Sequence, residues 1–346
     1  MFTKRCRSCL APAAMGGQRG SLFVRTVVVF SWLVSGVMVN LAGGRAWAQD
    51  APTRTVSFVV PFSAGAAPDA LVRAIAREVG RSANVSIIVE NKPGAASVLA
   101  AQAVARAAPD GHTVLITGNV AMTGNPHVSR RLAYDPVADF TPVASLARGS
   151  MVLYVNPRRL SVASVAELLQ AMRKEPGRVS YGYTSITSRL PAEVLQQVAG
   201  VRLTGVPYRS GASALPDLLS GQIDMMFTDV SAGPHVAAGK LKALAVTDMQ
   251  RSPFAPGVPT FEEAGVRDMD VGFWLAAYLP AKAAPKVVTR LHGLLAEAMR
   301  TPSVKDALQK FGASEFVLAP AELARFQANE TAAWGRIIRA AGIEPE

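Results

Sequence analysis

Val59-Val60-Pro61-Phe62-Ser63-Ala64-Gly65-Ala66-Ala67-Pro68-Asp69 is the stretch on which the fold turns. Thr55 to Val60 is rich in β-formers, and Pro61 stops the run because proline gives a sheet ladder no N–H. Pro68 suits the first turn of a helix, where its missing donor would have no partner anyway. Asp69 suits the positive end of the helix dipole. Leu71, Val72, Ile75 and Val79 then supply one apolar helical face. Between strand and helix, Ser63 to Ala67 carry no large side chain to screen their backbone N–H groups. A loop at the carboxyl end of a strand and the amino end of a helix is where an anion can sit.

Outward from this loop the pattern alternates. Strands are expected at 86–90 and 113–117, and helices at 68–80 and 95–107, which implies βαβ units around a mostly parallel sheet. The apolar stretch 143–155, broken only by Ala147-Arg148-Gly149-Ser150, is expected to cross into a second α/β set. That set comprises helices at 165–174, 191–199 and 214–220, with strands at 179–183, 203–207, 224–228 and 241–246. Residues 272–279 are expected to cross back, followed by helices at 285–300, 303–311 and 320–341 and a short strand at 315–318. A chain of 346 residues also exceeds the ~250–300 at which single cores stop growing. The fold class is therefore α/β with two domains. Residues 49–148 and 275–346 form a discontinuous first domain, 149–274 form the second, and the two crossings make a hinge.

Half of the residues are hydrophobic, in short runs. The exception is 27–39, which is mainly apolar, preceded by Arg19 and Arg25 and followed by Ala46-Trp47-Ala48. That order of basic, apolar and small-x-small segments describes a secretory signal, and the run is short of the ~20 residues a spanning helix needs. Residues 1–48 are expected to be a signal peptide cleaved after Ala48; the alternative is an uncleaved anchor. Both cysteines, Cys6 and Cys9, fall in this segment, so the rest of the chain has no thiol chemistry, disulfide or cysteine metal site. The segment also holds six of the 36 Lys and Arg residues and no acid, so the formal charge drops from +11 to +5 once it is removed. The remaining basic residues are scattered among acidic ones with no aromatic interleaving, which argues against nucleic acid.

Several blocks of sequence resemble one family in order. They are the first loop, Glu90-Asn91-Lys92-Pro93-Gly94-Ala95, Ala107-Ala108-Pro109-Asp110-Gly111, Tyr134-Asp135-Pro136 and Asp139-Phe140. Further on come Val206-Pro207-Tyr208-Arg209, Leu218-Leu219-Ser220-Gly221-Gln222-Ile223-Asp224, Ala238-Gly239-Lys240-Leu241 and Leu244-Ala245-Val246-Thr247. Together they resemble the tripartite tricarboxylate transporter receptors, the Bug family of periplasmic solute-binding proteins. The resemblance implies a type II periplasmic-binding fold whose two domains close on a small organic anion. It further implies a periplasmic protein that delivers its ligand to the permease subunits of a tripartite tricarboxylate-type transporter. No cofactor and no enzyme activity are expected, and a monomer is. The alternatives left open are a ligand sensor for a membrane signalling partner and a periplasmic hydrolase.

In the family, the loop matching Phe62, Ser63, Ala64, Gly65, Ala66 and Ala67 contacts a ligand carboxylate largely through backbone amides. This chain departs from the usual form, which often has prolines at 63 and 64 and glycines at 66 and 67, so its added methyl groups narrow the site. A second loop, Thr184-Ser185-Ile186-Thr187-Ser188, offers four hydroxyls, which either bind a second carboxylate or cap the helix starting near Leu190. Arg189 either clamps a carboxylate or is solvated. Tyr208 belongs to a family block facing the cleft, yet equally suits a packed core position. Thr228 and Asp229 end a strand, with Asp229 either capping the next turn or meeting an ammonium group. Asn119 ends the first-domain strand opposite, and Asn91 is expected to order the turn before Pro93-Gly94. Phe273, Trp274 and Tyr278 read as hinge or core packing.

The search for catalytic motifs is negative. The chain has no His-Glu-x-x-His, no phosphate-binding Gly-x-x-x-x-Gly-Lys-Ser/Thr and no Gly-x-Ser-x-Gly. His112, His127, His235 and His292 are isolated, and no carboxylate pair stands out.

Overall fold

The computed structural model describes residues 55–345. The expected signal peptide and its cleavage site lie outside them. The described chain opens with β1 (Val56–Val60), α1 (Ala67–Ala83), β2 (Ile87–Asn91), α2 (Val98–Ala105), β3 (Thr113–Gly118), α3 (Asn125–Val128) and β4 (Phe140–Ser150). It continues with β5 (Val152–Val155), α4 (Val165–Lys174), β6 (Ser180–Tyr183), α5 (Ile186–Ala199), β7 (Thr204–Pro207), α6 (Gly211–Ser220), β8 (Met225–Thr228), α7 (Gly233–Ala237) and β9 (Lys242–Val246). It ends with β10 (Gly272–Pro280), α8 (Pro285–Met299), α9 (Pro302–Phe311), β11 (Ser314–Glu315) and α10 (Pro320–Ala340).

These strands make two sheets, one ordered β11-β4-β10-β3-β1-β2 and the other β7-β6-β8-β5-β9. In the first, β1 pairs in parallel with both β2 and β3, while β10 runs antiparallel between β3 and β4. Strand β1 is apolar throughout its centre because both faces of the sheet are covered. Phe58 and Val60 join α1, α8 and α9 in one core, whereas Val59 joins α2 and the inner face of β10 in another. The second sheet is built in the same way, with Tyr181, Met225 and Phe227 packed under α4 and α5.

Two strand passages join the sheets. Strand β4 leaves the first sheet at Ser150, and only Met151 separates it from β5 of the second. Strand β10 brings the chain back at Gly272. The passages touch so closely that a Cβ on Gly272 would stand 2.6 Å from the Gly149 carbonyl oxygen, so only glycine fits there. Thr247 stitches them together: its Oγ1 accepts from the Met151 N–H (2.9 Å) and donates to the Val271 carbonyl (2.8 Å). The last helix adds a third tie. Leu323 near its start is buried in the first lobe, while Trp334 and Ile338 near its end are buried with Leu190 and Val194 of the second.

Three helix starts differ from the expectation. The residues from Ala95 do not begin a helix directly. Ala95, Ala96 and Ser97 take φ values of 45°, 46° and 72°, a left-handed turn, and α2 begins only at Val98. Helices α5 and α6 begin at Ile186 and Gly211, five and three residues early, with Pro191 and Pro216 inside them. A proline this near the amino end removes one helical bond while leaving the rest of the first turn intact. The outcome is two α/β lobes joined by crossing strands, the type II periplasmic-binding fold.

Candidate functional site

Where the crossings meet, a cavity of about 310 Å³ opens between the two sheets. The first lobe contributes Phe62, Pro68, Ser97, Thr117 and Asn119, and the crossings contribute Met151, Phe273 and Trp274. The second lobe contributes Thr184, Ser185, Thr187, Ser188, Thr228 and Asp229. A larger cavity of about 500 Å³, lined by Val56, Val79, Ile87 and Leu291 among others, lies on the first lobe alone and has no hydroxyl side chain in its wall. That larger cavity carries Asp110, His112, Lys286 and Arg290 at its wall but touches one lobe, whereas the interlobe cleft is lined from both.

Its second-lobe wall is the amino end of α5. Ser188 is 4 % exposed, and its Oγ accepts from the backbone N–H of Thr184 (2.9 Å) and of Ser185 (3.3 Å) and donates to the Ser185 carbonyl (3.2 Å). That side chain closes the β6–α5 loop on itself. The first N–H groups of an α-helix have no carbonyl partner within it, and the dipole adds partial positive charge there. Thr187, the second residue of α5, is 7 % exposed, and its hydroxyl makes no hydrogen bond. Thr117, at the cleft end of β3, is 1 % exposed and its hydroxyl is likewise unpartnered. Each lobe thus presents one buried, unsatisfied hydroxyl to the cleft, and such a group is costly unless something arrives to pair with it.

The first loop is held from behind. Asp69, 1 % exposed, accepts from Gly65 N–H (2.8 Å), Arg73 Nε (3.0 Å) and Asn91 Nδ2 (2.7 Å). Burial pushes its carboxyl pKa up, but the hydrogen bonds from Arg73, Asn91 and Gly65 and the Arg73 charge outweigh this and hold it below the usual value. Asn91 also donates to the Phe62 carbonyl (3.0 Å), so it ties β2 to the first loop rather than ordering the turn after it. With Gly65 N–H on Asp69 and Ala66 N–H on the Ser63 carbonyl (3.1 Å), two of the loop's amides are turned inward. Phe62 lines the cleft, whereas Ser63, Ala64 and Gly65 are exposed and Ala66 and Ala67 half-buried outside its wall.

The other expected residues divide. Asn119 lines the cleft and spends its Nδ2 on the Gly272 carbonyl (2.9 Å), tying β3 to the returning passage. Thr228 and Asp229 both line it, and Asp229 caps the next turn by accepting from Ser231 N–H (2.9 Å). Tyr208 stands outside the wall, its hydroxyl donating to Asp217 (2.7 Å) and its pKa pushed up to about 12 by burial and by that carboxylate. Arg189 pairs with Glu193 (2.9 Å) and lies over the Tyr183 ring, so it is neither a clamp nor freely solvated. Thr117, Ser97 and Met151 were not singled out from sequence, and Phe273 and Trp274 were read only as packing. Thr117 has no signal of its own, since threonine inside 113–117 reads as an ordinary β-former. Among the described residues no group of three or more His, Cys, Asp or Glu side chains is placed to hold a metal.

A hinged pair of α/β lobes around a hydroxyl-lined cleft defines a solute-binding protein. The sequence profile of the tripartite tricarboxylate transporter family receptor matches residues 71–343, and the chain belongs to that family. Its members are periplasmic receptors that take a small organic anion to a membrane permease, and they are binding proteins rather than enzymes. A UPF0065 protein from the tcbD-tcbE intergenic region of Pseudomonas sp. strain P51 is 34% identical over 291 residues, 83% of this chain and 86% of the relative. The structure of R. palustris Rpa4515 with adipate superposes with a TM-score of 0.78 at 33% identity, covering 86% of this chain and all of that one. MatC from Rhodopseudomonas palustris with bound malate gives 0.73 at 30% identity, covering 83% and 99%.

Proposed function

We propose that this protein binds a small carboxylate in the interlobe cleft and hands it to the permease subunits of a tripartite tricarboxylate-type transporter. It works as a monomer in the periplasm after cleavage behind Ala48. The observation that carries this reading is the pair of buried unpartnered hydroxyls, Thr117 and Thr187, one from each lobe, beside the amino end of α5. One carboxylate sits at that helix end, among Thr184, Ser185, Thr187 and Ser188, where hydrogen bonds to the anion are charge-assisted. The rest of the ligand lies against Phe62 and Asn119, with Thr117 as its polar anchor in the first lobe. A ligand that pairs with both hydroxyls touches both lobes at once, so binding favours closure about the hinge. The adipate bound to Rpa4515 and the malate bound to MatC support a ligand of this class.

Such a site is strong enough. Micromolar binding is about −8 kcal/mol. Spread over roughly ten heavy atoms, that is about 0.8 kcal/mol per atom, within the ~1.5 ceiling for small ligands. A thermal-shift screen of residues 49–346 against aliphatic dicarboxylates, aromatic acids, amino acids and the corresponding amides tests the reading. A ligand at 100 times its Kd stabilises by about 2.7 kcal/mol, a shift of several degrees. Shifts by acids and not by their amides are expected; shifts by uncharged compounds alone would overturn the assignment.

A further inference from the structure

The charge of the cleft points to a narrower class of ligand, an inference that rests on the carboxylate reading above. Among the described residues lining the cavity, Asp229 is the one ionisable side chain, and no Lys, Arg or His joins it. Its Oδ1 accepts from Ser231 N–H (2.9 Å), and Oδ2 makes no hydrogen bond or ion pair with a described residue. Of the arginines nearest in sequence to the binding loops, Arg209 is exposed and outside the cavity wall, and two others are already committed. Arg189 is held by Glu193, and Arg73 by Asp69 and Asn91. A receptor for a plain dianion thus carries an uncompensated carboxylate in its own binding wall. An unpaired like charge disfavours such a ligand, and the same group becomes a partner for a cation.

We infer that the solute is an amino-bearing carboxylic acid. Its carboxylate takes the amino end of α5 and the Thr187 hydroxyl, and its protonated amine donates to Asp229 Oδ2. The orphan hydroxyl of Thr187 marks where the anionic end goes, and Asp229 marks where the cationic end goes. Asp229 then selects by attraction for the zwitterion and by repulsion against the dianion, a charge-assisted hydrogen bond on one side and an unpaired charge on the other.

Calorimetric titration with matched pairs tests this. The pairs are succinate with aspartate, glutarate with glutamate, and adipate with 2-aminoadipate. Within at least one pair the amino acid should bind about ten-fold or more tightly than the plain diacid. In Asp229→Asn, which keeps the oxygen that caps Ser231, that preference should vanish or reverse, with the plain diacid gaining affinity. Wild-type protein that binds the plain diacid as well as its amino counterpart in every pair would overturn the inference and leave the carboxylate reading standing. An amino-acid preference that survives Asp229→Asn unchanged would also overturn it. Binding by no member of either series would overturn the inference and leave the carboxylate reading to the wider acid screen.

Discussion

Ala95, Ala96 and Ser97 occupy left-handed backbone, which costs an L side chain roughly 1–2 kcal/mol per residue when held there. The turn delivers Ser97 to the cleft wall, and Asn125 Nδ2 pins it through the Ala96 carbonyl (2.8 Å). Ala96→Gly should therefore stabilise the protein by about 0.5–1 kcal/mol, read as a higher denaturation midpoint, and an unchanged or lower midpoint would count against strain in this turn. Asp69 makes the opposite case. Its pKa is depressed in the fold, so its stabilising contribution is present above the unfolded aspartate pKa and is lost as pH falls through the folded value. Asp69→Asn should flatten the acid limb of stability against pH, and an unaltered limb would show that the Arg73–Asp69–Asn91 network contributes little. At this scale the sequence was most legible where a residue has one physical use. Asp69 at a helix start is of that kind. Thr117 was not, because its role depends on what lies across the cleft.

Helices α5 and α6 start alike, and the likeness is written in the chain. Tyr183-Thr184-Ser185-Ile186-Thr187-Ser188-Arg189-Leu190-Pro191 and Tyr208-Arg209-Ser210-Gly211-Ala212-Ser213-Ala214-Leu215-Pro216 share tyrosine, two serines, leucine and proline at the same spacing. Opening α5 at Pro191 and α6 at Ala214 missed that pattern and set both boundaries late. The serines, not the prolines, mark the true starts. In both helices the second serine's hydroxyl accepts from the first serine's N–H, but Ser188 is buried and Ser213 exposed. Ser188→Ala should cost about 1–2 kcal/mol of stability and weaken ligand binding, whereas Ser213→Ala should cost only a few tenths. Equal losses at the two positions would mean that burial is not what distinguishes them. Strands β1 and β3 were legible because burial on both faces makes them short apolar runs, closed by Pro61 and Gly118.

For the molecule as a whole, the two passages between lobes could be read from 143–155 and 272–279, since each is apolar for longer than one strand requires. That α10 belongs to both lobes could not, because a helix with a single apolar stripe does not say which core each turn meets. Behind the passages lies a small polar cavity with Arg148, Asp248, Asp270 and Glu330 in its wall. Burial raises the Asp270 pKa, and the Asp248 charge adds to that while Arg148 opposes it. Burial also raises that of Glu330; the Trp274 indole works against the rise and the Asp270 charge adds to it. For such groups the native state holds protons that the unfolded chain has released. Stability is therefore full below the unfolded carboxylate pKa and falls as pH rises through the folded one. Asp270→Asn should remove part of that fall and raise the melting temperature near neutrality; a lower one would show that Arg148 needs the ionised form.

The cleft itself is tested most directly by titrating the strongest acid from the screen into wild-type protein, Thr117→Val and Thr187→Val by calorimetry. Valine keeps the shape of threonine and removes a hydroxyl that has no partner in the free protein. Each variant should therefore match or exceed the wild-type melting temperature without ligand, yet bind about ten-fold or more weakly. One-to-one binding that is equally tight in all three proteins would contradict the account, because the ligand would then be held somewhere other than between these two hydroxyls.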